Sequence, residues 1–217
     1  MYIKEKTTLE AWKKALRIVK NKGNDIVDDD KRVYREILNL YIEIKSPKED
    51  VTKPIETLQN FKQWFYPPLS EISSMMLKKK APLYSYATGP RLFSFQDQFN
   101  QIDDFIIPLL KQNLSSKRAV VTFWDPLKDG NIDNKDIPSM VTIDLKVKDK
   151  KLNLTAMIRS SDLFFGWPAN IYQIYSLQKY VADKLNLEGG SIGVFATSAH
   201  IFQDMFDTVD IVLKNKI

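Results

Sequence analysis

Two neighbouring polar residues in the second half of the chain have the chemistry of an anion clamp. Arg159 offers a planar fork of N–H donors that can hold a phosphate or carboxylate through paired hydrogen bonds, and the Ser160 hydroxyl can donate to the same group. The alternative is an arginine at a strand end that pairs with a surface carboxylate. The pair therefore predicts an anion site, and the residues around it have to decide between the two interpretations.

The other side chains that could do chemistry are few. The sequence has no cysteine and one histidine, His200. Without a thiol the chain forms no disulfide, no thiolate metal site and no thiol nucleophile. A lone histidine on a strand is either a structural residue whose hydrogen bonds are made within the protein or a residue that binds a ligand. The acidic stretch from Asp28 to Asp30 lacks the spacing of cation ligands and precedes Lys31 and Arg32, so we expect a solvated turn and no metal site.

The charge balance favours an anionic partner without indicating nucleic acid. The net charge is +5, yet Lys78, Lys79 and Lys80 form the only compact basic run. Because aromatic residues that could stack on bases do not alternate with it, we expect a solvated surface and consider a nucleic-acid partner unlikely.

Length and hydrophobicity predict a single globular domain over residues 1–217. With 44% hydrophobic residues the chain can bury a full core. No apolar run approaches the roughly 18 residues of a membrane span, and the first residues lack the apolar core of a secretory signal. We therefore expect no membrane association and a cytoplasmic location.

Elements that could position these residues follow from the apolar periodicity. Thr7 and Glu10 read as a capping box, which predicts a helix that ends at Gly23. Residues 38–44 alternate as a strand with one buried face, from Leu38 onward, and short helices are expected over residues 46–70. A helical stripe runs over residues 99–109.

The second half of the chain predicts mainly strands. The apolar run Ala119 to Trp124 suits a central strand, and residues 141–158 alternate as a hairpin that turns at residues 149–151. A helix follows over residues 174–185 and is expected to end at the Gly189-Gly190 pair, before a strand over residues 192–197.

Three motifs in the right order resemble the thymidylate synthase family. The segment Arg159-Ser160-Ser161-Asp162-Leu163-Phe164-Phe165-Gly166-Trp167-Pro168-Ala169-Asn170 is similar to its Arg-Ser-x-Asp signature, which leads through Gly-x-Pro to an Asn. Ser198-Ala199-His200-Ile201-Phe202 resembles its Asp-x-His-x-Tyr strand end, and Ser116-Lys117-Arg118-Ala119-Val120-Val121 resembles its Ser-Arg-Arg strand entry. The resemblance covers residues 84–213 and is closest to the compact archaeal branch.

The resemblance implies an α+β fold in which helices cover one face of a large mixed β-sheet and the other face forms a dimer. It also implies a pyrimidine nucleotide as partner, a homodimer with active sites shared across the two-fold axis, and methylenetetrahydrofolate as cofactor if the chain is catalytic.

Site residues carried over from the family fall into three groups. Arg159 and Ser160 match phosphate-binding positions, as do Lys117 and Arg118 from across the two-fold axis; Asn170 and Asp162 match base-binding positions, and His200 matches the sugar-binding one. Lys117 keeps the charge of an arginine but not its fork. Asn170 favours uracil over cytosine. The alternatives are a charged turn for Lys117 and Arg118, and a helix N-cap for Asn170.

The catalytic positions of the family are altered. Ser139 stands where the family has its cysteine nucleophile, and a serine hydroxyl needs a positioned base that the neighbouring sequence does not offer. Thr88 replaces a tyrosine that assists proton transfer, although Tyr86 could reach the same space. Phe202 replaces the tyrosine that binds the sugar 3′-hydroxyl. Glu56 is the candidate for the glutamate that, in the family, orders water beside the base.

Three interpretations remain open at this level. The first is a family member that binds a dUMP-like nucleotide and has lost the standard methylation. The second is a folate-dependent enzyme that transfers a methyl or hydroxymethyl group to a pyrimidine nucleotide, and the third is a non-catalytic dimeric assembly or regulatory protein. Loss of the cysteine favours the first. The first phosphate-binding arginine is not assigned, with Arg32 and Arg35 as candidates.

Overall fold

The structure, a computed structural model, describes residues 1–79 and 88–214. Lys80 of the basic run and Tyr86, the candidate replacement for the family's tyrosine, lie outside the described residues. In these two ranges no helix is long and apolar enough to cross a membrane.

The helices lie before, between and after the strands in sequence. Those of the first half are α1 (Thr8–Lys22), α2 (Lys53–Gln59), α3 (Leu69–Leu77) and α4 (Thr88–Phe93). Those that follow are α5 (Ile107–Gln112), α6 (Pro126–Asp129), α7 (Gly166–Leu185) and α8 (Phe206–Lys214). A π-helical segment, Gln101–Ile106, leads into α5, and 3₁₀ turns occupy Pro47–Glu49 and Gln203–Met205.

The strands form one mixed sheet. They are β1 (Tyr2–Glu5), β2 (Asn24–Val27), β3 (Val33–Ile44), β4 (Val120–Thr122), β5 (Met140–Lys148), β6 (Lys151–Ile158), β7 (Ser161–Asp162) and β8 (Glu188–Phe202). Their order is β1-β3-β8-β6-β5-β4, with β2 beside β3 and β7 beside β8. The predicted α+β class with a large mixed sheet is confirmed.

Cross-strand rows show that the two faces of the sheet differ. One row, on the side packed by α1 and α7, is almost completely buried; it consists of Ile3, Ile42, Val194, Ala156, Ile143 and Val121. The neighbouring row is at least partly exposed along its whole length; it consists of Tyr2, Tyr41, Phe195, Met157, Thr142 and Thr122. Helices therefore cover one face, and we call the other the open sheet face.

The predicted capping box of α1 is present in full. Thr7 is the N-cap, its side chain accepts a hydrogen bond from the Glu10 backbone, and Glu10 reaches back to the Thr7 backbone. The helix ends at Gly23 as predicted, where the backbone becomes extended and leads into β2. Glycine suits this position because a Cβ would come within 2.6 Å of the Arg35 side chain.

Replacing Thr7 with alanine is expected to lower the free energy of unfolding by about 1 kcal/mol, because it removes the capping hydrogen bond. Urea denaturation followed by circular dichroism measures the change. Ser70→Ala is the control, since Ser70 is an exposed residue of the first turn of α3 whose side chain makes no hydrogen bond in the described structure. Equal losses in both variants would contradict a capping role.

Three predictions about individual elements are wrong. The run from Ala119 to Trp124, predicted as a central strand, contributes only β4, at the edge of the sheet. The run is apolar because it packs on one side, and Val120 on the other side is 43% exposed. The predicted buried Leu38 is 61% exposed. α7 ends at Asn186, in a left-handed conformation with φ of 53°, and Gly189-Gly190 belong to β8.

The exposure of Leu38 has a local cause. Asn39 has a left-handed backbone with φ of 57°, and it interrupts the alternation of β3. On the paired strand β8 the buried positions change in step, from residues 192, 194 and 196 to residues 199 and 201. The buried side of both strands therefore switches at this point.

Candidate functional site

A cavity of about 380 Å³ lies where the hairpin ends meet the start of α7. Among the residues on its walls are four predicted site residues, Ser139, Ser160, Asp162 and Asn170. Thr88 also lines it. The hairpin explains the meeting: Met140 pairs with Ile158, so the residue before β5 and those after β6 emerge at the same edge.

Arg159 joins the two strand ends of this hairpin. Its Nε donates to the Pro138 carbonyl at 3.2 Å and an Nη2 hydrogen to the Ile137 carbonyl at 3.0 Å, while its backbone N–H donates to the Ser139 carbonyl at 2.8 Å. The side chain is exposed and is not among the lining residues of the cavity. It lies at the cavity rim with donors still available, and it pairs with no carboxylate in the described part of the chain.

The cavity wall offers few groups that could act as a base for Ser139. Within the described ranges, the wall includes no lysine, arginine or histidine, and its one carboxylic acid is Asp162. The phenol of Tyr66 donates to the Phe165 carbonyl at 2.8 Å, and burial raises its pKa, so it cannot accept the serine proton near neutral pH. Asp162 is therefore the one carboxylate of the described wall that could accept the proton, and no hydrogen bond joins it to Ser139.

Asp162 is partly buried beside the one histidine of the sequence. Its Oδ1 accepts hydrogen bonds from the backbone N–H groups of Phe164 at 2.9 Å and Phe165 at 3.2 Å. Burial raises the pKa of Asp162, and the opposing charge of His200 and these hydrogen bonds do not cancel the effect. Because Oδ2 makes no recorded hydrogen bond in the described structure, it can bind a ligand donor.

His200 pairs with Asp162 across β7 and β8 and does not line the cavity. Its Nδ1 is buried without a hydrogen-bond partner among the described residues. The ring packs against Tyr34 and Phe202, with centroids 5.2 and 5.3 Å away. Burial lowers the pKa of His200, although Asp162 acts in the opposite direction, so the imidazole tends toward the neutral form.

Asn170 lies inside α7 and is not its N-cap. The helix starts at Gly166 after Phe165, so the capping alternative is wrong. Gln173 follows one turn later on the same helical face and also lines the cavity, where its Nε2 lies 3.9 Å from the Met75 sulfur. The spacing of three residues after Asn170 could have identified Gln173 from the sequence.

Other predicted residues lie outside the cavity. Lys117 and Arg118 are exposed residues before the edge strand β4, so a single chain does not bring them to the cavity. Glu56 accepts hydrogen bonds from Thr52 at 2.6 Å and Lys53 at 2.9 Å on the surface of α2, and it is absent from the cavity wall.

Arg32 and Arg35, the two candidates for the first phosphate-binding arginine, differ in their contacts. Arg35 is bound in two places, because its guanidinium donates to both carboxylate oxygens of Asp25 and to the Lys20 carbonyl. The Arg32 guanidinium instead lies 3.6 Å from the centre of the Phe202 ring, where its charge acts on Asp162 and His200. Of the two arginines, only Arg32 acts electrostatically on Asp162 and His200.

The sequence did not reveal the apolar wall of the cavity. This wall is formed by Tyr66, Pro67, Ile72, Met75 and Phe165. Most of these residues come from the proline-containing segment before α3 and from α3 itself, whose placement depends on tertiary packing against α7. No spacing in that segment distinguishes cavity residues from core residues.

Arg91, from the Thr88-Gly89-Pro90-Arg91 segment, belongs to a buried ion pair. Its guanidinium makes two hydrogen bonds to Asp129, at 2.6 and 2.7 Å, and a third to the Phe123 carbonyl at 2.7 Å. The Asp129 side chain is 1% exposed and also accepts from the Asp125 backbone at 2.8 Å. The pair joins α4, β4 and α6 without lining the cavity.

Comparisons with known proteins agree on one family. A family model described as "Thymidylate synthase" matches residues 57–217. Archaeal proteins named "Putative thymidylate synthase" are similar along nearly their whole length. The protein of Methanosarcina barkeri is 33% identical over 98% of this chain and 94% of its own length; that of Methanococcoides burtonii is 30% identical with the same coverage. The protein of Methanocaldococcus jannaschii is 26% identical over 93% of this chain and 90% of its own length.

Proposed function

The chain belongs to the thymidylate synthase family, and from this membership we propose that it binds a uracil-type nucleoside monophosphate without the family's cysteine-dependent methylation. The observation that carries the proposal is the meeting of Ser139, Ser160, Asp162 and Asn170 on the wall of one cavity. These residues come from the hairpin ends, the following short strand and α7. Their convergence supports a retained nucleotide site.

The phosphate is assigned to the rim of the cavity at Arg159 and Ser160. Arg159 uses its Nε and one Nη2 hydrogen on carbonyls, so its Nη1 hydrogens and the second Nη2 hydrogen remain available for an anion. The Ser160 hydroxyl lines the cavity. Arg32 is the candidate for a second arginine at the phosphate, because Arg35 is already held by Asp25.

The base is assigned to the interior of the cavity, against Asn170. An amide offers a donor and an acceptor side by side, which is the pattern that the edge of uracil requires. The apolar wall, including Tyr66 and Phe165, can cover the ring faces. The volume of about 380 Å³ lies within the usual range of small-molecule sites, about 300–1,000 Å³.

At the sugar end, one hydroxyl of the family's pattern is missing. Phe202 has no phenol, and its ring is covered by Arg32. His200 keeps an unpartnered Nδ1 in the described structure, which can pair with a sugar hydroxyl once the ligand is bound. We expect weaker selection for a free 3′-hydroxyl than two partners would provide.

Loss of the standard methylation is proposed on two grounds. The sequence has no cysteine, and a thiol is the nucleophile that the family uses. Ser139, at the matching position, has no hydrogen bond to Asp162, the one carboxylate among the described lining residues, and no histidine or lysine lines the described cavity wall. Binding without thiol chemistry is therefore the function that the site supports best.

Calorimetric titration with dUMP, UMP and dCMP, with and without methylenetetrahydrofolate, tests the proposal. We expect both uracil nucleotides to bind, dCMP to bind more weakly, and no tritium release from dUMP labelled at carbon 5. Ser139→Cys restores the nucleophile and is the matched variant. Absence of binding by all three nucleotides would contradict the site, and tritium release by the unaltered chain would contradict the loss of chemistry and support folate-dependent transfer.

We also propose that the open sheet face forms an isologous homodimer. The partly exposed apolar side chains of Tyr41, Phe195 and Met157 lie next to one another on it, across β3, β8 and β6. A two-fold axis through this face would bring Lys117 and Arg118 of each chain toward the partner. The cross-dimer role of these two residues depends on this arrangement.

Phe195→Asp is expected to convert the dimer to a monomer, because a carboxylate in the middle of a self-complementary apolar face is buried twice without a partner. Sedimentation velocity measures the change. Ile211→Asp on α8 is the control, since Ile211 is 48% exposed and lies away from the sheet. A monomeric unaltered chain, or a Phe195→Asp variant that remains dimeric, would contradict the proposed interface.

A further inference from the structure

Two adjoining cavities lie at the end of the sheet opposite the nucleotide site. The first, which we call the lysine groove, has a volume of about 630 Å³ and is lined by residues at the beginnings of β6 and β8, including Lys151 and Gly190. The nucleotide site lies beyond the other end of β6. Because β6 runs from Lys151 to Ile158, the two sites are roughly 23 Å apart at about 3.3 Å per residue.

The lysine groove has an excess of positive charge. It is lined by Lys4, Lys45, Lys48 and Lys151, together with Glu43 and Glu49. Both glutamates are already paired, Glu43 with Lys4 and Glu49 with Lys6, each at 2.9 Å. Within the described ranges, Lys45, Lys48 and Lys151 form no salt bridge, although the charge of Lys45 acts on Glu43, and their ammonium groups are available for an anion.

The second cavity adjoins the groove and has a volume of about 320 Å³. The two share Lys48 and Gly189 on their walls. Gln178 of α7 lines this second cavity, which we call the glutamine pocket. The Gln178 side chain is almost completely buried, and its Nε2 donates to the Leu152 carbonyl at 2.8 Å.

The Oε1 of Gln178 is a buried acceptor without a hydrogen-bond partner in the described structure. Its amide orientation is fixed, because Nε2 faces backbone carbonyls and exchange of the two atoms would place oxygen against oxygen. An orphaned buried acceptor is costly unless a donor from a ligand or water satisfies it. Gly189 leaves space at this atom, since a Cβ there would lie 3.1 Å from Oε1.

We propose that the lysine groove and the glutamine pocket together bind one small phosphorylated sugar. Its phosphate lies among Lys45, Lys48 and Lys151, and one of its hydroxyl groups donates to Gln178 Oε1. The site is separate from the nucleotide cavity and does not depend on the function proposed for it. The three lysines without a salt bridge favour an anion at the groove, away from Glu188 on the wall of the glutamine pocket, and the unsatisfied acceptor favours a ligand that also carries a donor.

The experiment is calorimetric titration of the full chain with ribose 5-phosphate, inorganic phosphate and ribose at constant ionic strength. We expect ribose 5-phosphate to bind most tightly, and the double variant Lys48→Met, Lys151→Met to weaken it about tenfold or more. The matched control is Lys22→Met, Lys111→Met, which removes the same charge from exposed lysines outside both cavities. Equal weakening in both double variants would overturn the site, since it would reveal only general attraction.

Two further variants separate the parts of the proposal. Gly189→Ala is expected to weaken ribose 5-phosphate several-fold while inorganic phosphate binds unchanged, because the nearest atom to the added methyl is Gln178 Oε1 at 3.1 Å and not a lysine ammonium group. Arg159→Ala is expected to leave ribose 5-phosphate binding intact. Loss of that binding in Arg159→Ala would place the ligand in the nucleotide cavity and overturn the inference, as would absence of ribose 5-phosphate binding at millimolar concentration.

Discussion

Arg159→Ala is expected to raise the dissociation constant for dUMP roughly 10- to 100-fold. A hydrogen bond to a charged group contributes about 1.5–3 kcal/mol, and each 1.4 kcal/mol corresponds to about a factor of ten. Arg159 also donates to the carbonyls of Ile137 and Pro138, so its loss frees the segment that carries Ser139. Calorimetric titration of the variant measures the change.

Two comparison variants make this result specific. Arg17→Ala removes the same charge from an exposed position on α1 and is expected to leave the affinity within about twofold. Arg32→Ala is expected to raise the dissociation constant for dUMP by less than Arg159→Ala and by more than Arg17→Ala, because Arg32 contacts Phe202 without lining the cavity. If Arg159→Ala binds dUMP as tightly as Arg17→Ala does, the phosphate is not held at Arg159.

Arg91→Ala is expected to lower the free energy of unfolding by about 3–5 kcal/mol, because it leaves the Asp129 carboxylate buried without its partner. The carbonyl of Phe123 loses a donor in the same change. Urea denaturation measures the loss, and Lys53→Ala is the control, since the Lys53–Glu56 pair is about half exposed and worth little. A loss below about 1 kcal/mol would show that the buried pair is dispensable.

The same pair predicts how stability depends on pH. Burial raises the pKa of Asp129, but the hydrogen bonds from Arg91 and the Asp125 backbone outweigh it, so the pKa is lowered in the folded state. The stabilisation is therefore present above the ordinary pKa of an aspartate and disappears as the pH falls through the lowered value. Acid titration of the unaltered chain should show this loss, whereas Arg91→Ala should lack the Asp129 contribution. Identical acid transitions would contradict the assignment.

The convergence of Ser139, Arg159 and Ser160 was predictable from local pattern. The hairpin over residues 141–158 alternates clearly, and its two ends must meet at one edge whatever the rest of the fold does. Asn170 follows closely in sequence at the start of α7. Local periodicity therefore sufficed for the part of the site that one continuous segment builds.

The remaining features depend on contacts between distant segments. An apolar run such as Ala119 to Trp124 reveals burial but not the position of its strand in the sheet. The left-handed backbone of Asn39, which exposes Leu38, follows from pairing with β8. The sequence also could not show that Arg159 turns to the carbonyls of its own hairpin instead of the cavity interior.

Because the buried side changes along β8, the length of this strand constrains both the open sheet face and the candidate site. Phe195 projects onto the open sheet face, and His200 lies beside Asp162 a few residues later. Because side chains alternate along a strand, one residue added or lost between them would turn either the interface residues or the site residues to the wrong side. Relatives that keep both surfaces can vary this stretch by substitution but not by insertion or deletion.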